Sequence, residues 1–474
     1  MSAGFRDIRR QLGVPEKFSD DVLQEAHESV TAGPVLPDSA PDDPIDRRDL
    51  EFVAIDPQGS TDLDQAYAAE RTGRGYTVYY AIADVASLVR AGGAVDQEAR
   101  SRGVTLYSPD LRTSLHPESI SEGAGSLLEG RDRQALLWTI ELGTDGEQRS
   151  ARLERAIVRN RAQLSYHAAQ QMIDSRSGAG ADINSSLPLL REIGVLRQQQ
   201  EAERGGVSLA LASQEVVRRA DGTYDIEYDE SVPVENWNAQ ISLLTGIAAS
   251  RIMIEGGIGL LRTLPPPDQH TISQLRRTAQ ALGIRWNRDT SYADHVRQLR
   301  PDSPQRAAML SQSARGLRGA GYVSFHNHQI PEHPEHSAIA STYAHVTAPL
   351  RRLCDRFANE VVVALCADRP PPGWATEALE ELPSLMGSAR SKDRNLERAM
   401  VDYVEAVVLS NRVGESFEAV VTNVDSNRDR GRIQLRDPAV VANLAAAGLE
   451  LGQQVRVRLA GTNPTERHID FELA

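Results

Sequence analysis

The chain has 474 residues, of which 40% are hydrophobic, and this length predicts two or three domains rather than one. Its formal net charge of −14 argues against a protein that binds nucleic acid through an overall positive field. No apolar run is long enough to cross a bilayer, the N-terminus lacks a signal-peptide core and two cysteines cannot make a disulfide framework, so we expect a cytoplasmic protein without membrane contact.

Residues 1–48 are predicted to form a short helical arm and a linker. The runs FRDIRRQL and SDDVLQEAHESV are amphipathic, and Ser19 followed by acidic residues is typical of a helix N-terminus. The next stretch, AGPVLPDSAPDDPIDRR, has the Pro-rich composition of a linker. The helices are either an arm packed on the next domain or a remnant helix-turn-helix unit.

Residues 49–412 change from strands to helices. The first part carries the β-rich runs EFVAID, YTVYYAIADVASLV and ALLWTIEL, whereas helical patterns dominate from about residue 160. They include a helix over 349–367 and a long helix near 376–411. Strands followed by helices predict an α+β fold.

Residues 413–474 return to short alternating strands. Val455, Val457 and Leu459 point one way, while Arg456 and Arg458 point the other. Five such strands predict an OB-fold β-barrel, a common binder of single-stranded nucleic acid. The alternative is a small β-domain that only packs against the rest of the chain.

The stretch DPQGSTDLDQAY places Asp56, Asp62 and Asp64 directly after an apolar run. Asp62 and Asp64 are two residues apart and share one face of an extended backbone, and the bend at Pro57 can return Asp56 to the same point. Converging carboxylates repel one another unless a cation lies between them, and oxygen ligands favour Mg²⁺ or Mn²⁺ over zinc. Such a site typically serves phosphodiester hydrolysis. An ordinary solvated acidic turn is the alternative, and the spacing of a calcium loop is absent.

The stretch YAHVTAPLRRLCDRF predicts a phosphate site. Pro349 is placed where helices begin, so Arg351 and Arg352 are predicted in the first turn of the helix. Free backbone N–H groups and two guanidinium groups would hold a phosphate there. A surface arginine pair is the alternative.

Five histidines lie nearby in FHNHQIPEHPEHSAIASTYAH, at His326, His328, His333, His336 and His345. Their spacing could supply transition-metal ligands. The segment also carries two prolines and no cysteine, which favours a mixed surface loop, and we assign no metal to it.

Several motifs in order resemble the ribonuclease II (RNB) family: DPQGSTDLDQA, YYAIADVASLV, RGVTLYSPDLRTSLHP with SEGAGSLL, and YAHVTAPLRRLCDRF. The likeness covers roughly 50–411, and the C-terminal β-domain stands where that family carries its OB domain. The resemblance implies an RNB catalytic domain over 49–412, with a mixed sheet wrapped by helices around a central channel, followed by an OB-fold RNA-binding domain over 413–474. It also implies a processive 3′→5′ exoribonuclease that hydrolyses single-stranded RNA to 5′-mononucleotides with Mg²⁺ or Mn²⁺. We expect the protein to be a monomer.

The resemblance also assigns roles to single residues. Asp56, Asp62 and Asp64 match the metal-site aspartates, with Asp62 and Asp64 catalytic and Asp64 in the most sensitive position. Arg351 matches the arginine that contacts the scissile phosphate, and Tyr107 matches the tyrosine that packs on the terminal nucleotide. The remaining predicted RNA contacts are Glu397, Arg352, Arg394 and Arg398, the last two on a helix that also carries Arg390 and Lys392.

The chain departs from the family pattern at Gln65, where the motif typically has a second adjacent aspartate. The amide oxygen of Gln65 can still offer an uncharged ligand to the metal. Loss of one carboxylate weakens metal binding, and the alternative reading is a non-catalytic RNA-binding paralogue. The chain also lacks room for paired N-terminal barrels in its first 45 residues, so we expect tolerance of structured RNA. A DNA nuclease is a further alternative, since no residue pattern displays 2′-hydroxyl selectivity.

Overall fold

The structure is a computed structural model that describes residues 1–36, 43–175, 186–209, 214–228, 231–300, 302–425, 429–435 and 437–474. Part of the predicted linker, 37–42, lies outside the described residues. No helix in the described ranges combines the length and apolarity that crossing a membrane requires.

Two helices begin the chain, α1 (Ser2–Gln11) and α2 (Asp20–Ala32). Phe5 of α1 is fully buried and makes edge contacts with Tyr224 and Tyr403, at ring-centroid distances of 5.1 and 5.4 Å. The guanidinium of Arg9 is also buried, and it donates to Asp110 at 2.6 Å and to Glu16 at 2.9 Å. These contacts agree with the packing-arm alternative.

A six-stranded mixed sheet follows. Its strands are β1 (Ile45–Asp46), β2 (Phe52–Asp56), β3 (Gln65–Thr72), β4 (Gly75–Ala83), β7 (Asp132–Gly143) and β8 (Gln148–Ser165). The order is β1-β8-β2-β3-β4-β7, and β8 pairs in parallel with β1 and β2. Since β7 also pairs with the first part of β8, the sheet curves back on itself. Trp138, Tyr67 and Tyr80 fill the core beneath it.

Between β4 and β7 lie helix α3 (Ala94–Arg102), a short hairpin and a single π-helical turn, Ser119–Ala124. The hairpin strands are β5 (Leu106–Tyr107) and β6 (Arg112–Thr113). Asp110 lies in the turn of this hairpin, so the Arg9–Asp110 ion pair attaches α1 to it.

Helices and small hairpins then cover the sheet. The helices are α4 (Tyr166–Asp174), α5 (Ser186–Glu203), α6 (Pro233–Gly256), α7 (Gln269–Ala281), α8 (Tyr292–Gln298), α9 (Pro304–Ser313), α10 (Leu353–Cys366), α11 (Gly373–Ala378) and α12 (Leu382–Val408). The paired short strands are β9 (Gln214–Arg218) with β10 (Tyr224–Tyr228), β11 (Gly259–Thr263) with β12 (Gly321–Phe325), and β13 (Glu335–His336) with β14 (Ser341–Thr342). The predicted α+β class is confirmed.

The predicted C-terminal barrel is also confirmed. Strands β15 (Ser416–Asp425), β16 (Arg430–Leu435), β17 (Val441–Ala445), β18 (Gln454–Asn463) and β19 (His468–Leu473) close in the order β15-β16-β17-β19-β18. Along β18, Val455, Val457 and Leu459 are buried, and Arg456 and Arg458 alternate with them on the exposed face.

The predicted helix ends need correction. The helix expected over 349–367 begins only at Leu353, and the one expected near 376–411 is two helices, α11 and α12. Residues 351–353 pair with the backbone of 103–105 instead of continuing a helix: Thr105 N–H donates to Arg351 O at 2.9 Å and Leu353 N–H donates to Gly103 O at 3.0 Å. The sequence around Pro349 favours the start of a helix. Pairing with residues 103–105, which are distant in the sequence, prevents the helix from starting there.

We predict that Arg9→Ala lowers the apparent melting temperature by at least about 3 °C, because Asp110 is left without its buried cation. Arg10→Ala is the matched control on the same helix, since Arg10 is 77% exposed and Asp7 is its only ion-pair partner among the described residues. Differential scanning fluorimetry measures both variants. Equal shifts in the two would show that the Arg9–Asp110 pair does not stabilise the hairpin.

Candidate active site

The acidic cluster forms where β2 ends. Asp56 is the last residue of that strand, and the chain turns back because Ser60 donates its N–H and its hydroxyl to Pro57 O. Leu63 is fully buried, and its backbone N–H donates to Ser126 Oγ at 2.9 Å. Asp62 and Asp64 flank Leu63, so its buried side chain and its hydrogen bond fix the backbone between them. That the two carboxylates share one face stays a prediction.

Burial dominates the electrostatics of two of these carboxyls. It raises the pKa of Asp56 from 3.8 to about 7; the charge of Asp62 adds to the rise and that of Arg351 opposes it. Burial likewise raises the pKa of Asp64 to about 7, against Arg351 and the Leu350 N–H. Both carboxyls are therefore influenced by the same two charges, the guanidinium of Arg351 and the carboxylate of Asp62.

Arg351 closes the cluster from the segment before α10. Its Nε donates to Asp64 Oδ2 at 3.1 Å, and the Leu350 N–H donates to Asp64 Oδ1 at 2.7 Å. No acceptor in the described part of the chain takes its two terminal NH₂ groups, and the side chain is 47% exposed. These groups are free to bind a phosphate oxygen.

Arg352 lies in a different environment. It is the residue before α10, and its Nε and Nη2 donate to Asp355 at 2.5 and 2.6 Å. The prediction that Arg351 and Arg352 occupy the first helical turn is wrong, because that segment pairs with residues 103–105. An RNA contact by Arg352 stays a prediction, and it would compete with this ion pair.

The side chain of Gln65 is held by hydrogen bonds. Its Nε2 donates to Thr347 O at 2.7 Å, and its Oε1 accepts from Tyr80 Oη and from Ser242 Oγ. Ligation of a metal by Gln65 stays a prediction that requires the amide oxygen to give up these donors.

Tyr107 and Arg112 face the cluster from the β5–β6 hairpin, where they are direct cross-strand partners. Tyr107 is 52% exposed, and burial together with the charge of Asp62 raises the pKa of its phenol. Arg112 donates to Asp62 Oδ1 at 2.5 Å and forms an ion pair with Glu122. We did not predict Arg112 from the sequence; the turn at Pro109–Asp110 in YSPDLR was the signal that could have paired it with Tyr107.

Three of the predicted RNA contacts lie on α12. Glu397, Arg394 and Arg398 are exposed, and Arg398 is 3.8 Å from Asp402. α12 packs against β5, which carries Tyr107, but no described contact joins these three side chains to the acidic cluster. Their RNA contacts remain predictions.

Only one trio of His, Cys, Asp or Glu in the described ranges brings ligand atoms within 4.8 Å of one another, and it is His345, Cys354 and Asp355. Both oxygens of Asp355 already accept from Arg352, and one also accepts from the Ala348 N–H. Because Arg352 supplies the positive charge, we assign no metal to this trio.

The carboxylates of Asp56, Asp62 and Asp64 offer the oxygen ligands that a hard divalent cation prefers, although their oxygens do not all lie within 4.8 Å of one another in the described ranges. In the described part of the chain no group donates a hydrogen bond to the Asp56 carboxylate, so a cation would offset its burial. Asp62 and Asp64 are meanwhile held by Arg112 and Arg351.

The chain is thus a two-domain α+β protein, with helices over a mixed sheet, a closed C-terminal barrel and a buried aspartate, Asp64, paired with Arg351. The RNB domain profile matches residues 45–368, and the profile of the RNase II-type exonuclease C-terminal S1 domain matches residues 415–474. The chain belongs to the RNB family.

Curated relatives share about a quarter of their residues with the chain. Ribonuclease R of Escherichia coli (strain K12) is 25% identical over 92% of the chain and 58% of its own length. Ribonuclease R of Aquifex aeolicus is 25% identical over 98% of the chain and 69% of its length. The mouse exosome complex exonuclease RRP44 is 29% identical over 68% of the chain and 34% of its length. The chain thus spans less than two thirds of the E. coli and mouse proteins.

Solved structures share the fold. Mycoplasma genitalium RNase R in complex with ribose-methylated single-stranded RNA superposes with a TM-score of 0.88 at 19% identity, over 99% of the chain and 77% of that structure. Yeast Ssd1, described as a pseudonuclease, superposes with a TM-score of 0.71 at 16% identity, over 96% of the chain and 57% of that structure.

We predict that Asp56→Asn stabilises the metal-free protein at pH 8 and has no effect near pH 4. The folded protein binds more protons than the unfolded chain between an unfolded pKa of 3.8 and a folded pKa of about 7, so ionisation of Asp56 lowers stability as the pH rises through this window. Melting temperatures measured in EDTA across this range test the prediction. Asp49→Asn, at a 68% exposed carboxylate, is the control, and a pH-independent difference for Asp56→Asn would contradict it.

Proposed function

We propose that the chain is a 3′→5′ exoribonuclease that hydrolyses single-stranded RNA to 5′-mononucleotides with Mg²⁺ or Mn²⁺. The observation that carries the proposal is the pairing of Arg351 with the buried Asp64, since it places free NH₂ groups beside the proposed cation site. The RNB family membership and the C-terminal S1-type barrel support the same function.

Asp56, Asp62 and Asp64 would hold the cation, which when bound supplies Lewis acidity and an activated water. Arg351 orients the scissile phosphate and offsets the charge that develops on it, through the NH₂ groups that Asp64 leaves free. Tyr107 lies beside the cluster with half its surface open, so its ring can stack on the 3′-terminal base. The barrel feeds single strands toward the site.

The alternative is an RNA-binding protein without catalysis. The observation that favours it is Gln65, whose oxygen is engaged by Tyr80 where the family motif typically has an aspartate. A fold like this one also occurs in a protein described as a pseudonuclease, so the fold alone does not select between the two.

We predict that the wild-type protein shortens 5′-labelled poly(A) from its 3′ end and releases mononucleotides, while Asp64→Asn is slower by at least roughly a hundredfold because the cation is lost. Gel electrophoresis and product chromatography measure the two outcomes, with Asp49→Asn as the control. If neither wild type nor variant cleaves RNA and both retard it on a gel, the non-catalytic alternative is correct. A ladder of internal fragments would contradict exonucleolytic action.

We predict that Tyr107→Ala binds single-stranded RNA about tenfold more weakly, since one stacked base is worth about 1–3 kcal/mol. Fluorescence anisotropy in an Asp64→Asn background measures binding without cleavage. Tyr107→Phe keeps the ring and is the matched control, expected to bind like the wild type. Equal losses in both variants would mean that the hydroxyl, and not the ring, makes the contact.

A further inference from the structure

The side chain of Arg112 places a positive charge beside the acidic residues of the candidate site. It donates to Asp62 Oδ1 at 2.5 Å and to Thr61 Oγ1 at 2.9 Å, and it forms an ion pair with Glu122. Its side chain is 24% exposed, that of Asp62 11% and that of Glu122 25%. The guanidinium is therefore shared between two partly buried carboxylates.

The three partners of Arg112 are also joined to one another. The Thr61 hydroxyl donates to Glu122 Oε2 at 2.6 Å while it accepts from Arg112. Asp62 follows Thr61 directly, and Glu122 already binds the guanidinium, so Arg112 would keep an anionic partner on leaving Asp62. A phosphate contact by Arg112 is disfavoured, because two carboxylates already neutralise it.

The three aspartates do not converge closely in this structure. The oxygens of Asp56, Asp62 and Asp64 are not among the groups whose ligand atoms all lie within 4.8 Å, across the ranges that the structure describes. Asp56, by contrast, has no hydrogen-bond donor in those ranges, and Asp64 is held by Arg351. Of these three aspartates, Asp62 is the one that Arg112 of the hairpin holds, and it is also one of the proposed cation ligands.

We propose that Arg112 and the divalent cation compete for Asp62, and that Glu122 takes over the guanidinium when Asp62 binds the cation. This inference rests on the cation site of the proposed function. It makes Arg112 a positioning residue that sets the affinity for metal, and it makes cation binding depend on a hairpin that also carries Tyr107.

Competition predicts opposite effects for two neutral substitutions. Arg112→Gln removes the competing positive charge and frees Asp62, so the protein should bind the cation more tightly, by about fivefold or more. Glu122→Gln leaves Arg112 with Asp62 as its only anionic partner, so cation binding should weaken by about threefold or more. A purely structural role for the ion pair would weaken binding in both variants.

The experiment titrates the RNA-free, full-length protein with Mn²⁺ and follows the electron paramagnetic resonance signal of the unbound ion. Asp64→Asn identifies the site, because Mn²⁺ binding that survives this substitution lies elsewhere. Arg112→Lys keeps a cation and should stay within about twofold of the wild type. Arg48→Gln, at an exposed arginine paired with Asp46 and Asp132, controls for the loss of a positive charge.

Unchanged or weaker Mn²⁺ affinity in Arg112→Gln overturns the competition. Unchanged affinity in Glu122→Gln overturns the transfer to Glu122, and this variant decides alone if Arg112→Gln does not fold by circular dichroism. If the wild type has no Mn²⁺ binding that depends on Asp64, both the inference and the proposed cation site fail. If the protein cleaves RNA but Arg112→Gln binds Mn²⁺ with the same affinity as the wild type, the inference is wrong and the proposed function still stands.

Discussion

The site depends on keeping the Asp64 carboxylate in the protein interior. A buried carboxylate is costly unless donors and positive charge surround it, and here the donors come from one short segment, the Leu350 N–H and the Arg351 guanidinium. Asp64 and these two residues are 286 and 287 positions apart in the chain. The site therefore requires contacts that keep these two distant segments together.

Two sets of contacts hold the segments of Asp64 and Arg351 in place. Beneath Asp64, the buried Leu63 and the hydroxyl of Ser126 fix the extended backbone. Behind Arg351, α10 is anchored by buried ion pairs, Arg356 with Asp96 and Glu360 with Arg155. Breaking such pairs leaves an unpaired buried charge, so they hold the helix in one position. Arg351 therefore directly precedes a helix whose position is fixed by buried ion pairs.

The chain has the RNB fold, and two of its residues bear on the charge at the candidate site. Gln65 supplies an amide where the family motif typically has an aspartate, and Arg112 adds a cation beside Asp62. Both features reduce the negative charge available to a divalent ion. Structures described as RNase R and as a pseudonuclease share this fold, so the architecture alone does not decide whether the chain hydrolyses RNA.

Local patterns in the sequence determined much of the molecule. Alternation along 454–463 specified the barrel strand, because side-chain direction follows from local geometry. The apolar run EFVAI before the acidic residues likewise specified the buried strand that ends at Asp56. Only the tertiary structure decided where α10 begins, that Arg9 holds Asp110 and that Arg112 holds Asp62, across 101 and 50 positions of chain. Each of these contacts joins two segments that are far apart in the sequence, and burial sets the strength of the contact. The residue pattern within one segment does not depend on the other segment, so local periodicity could not reveal these contacts.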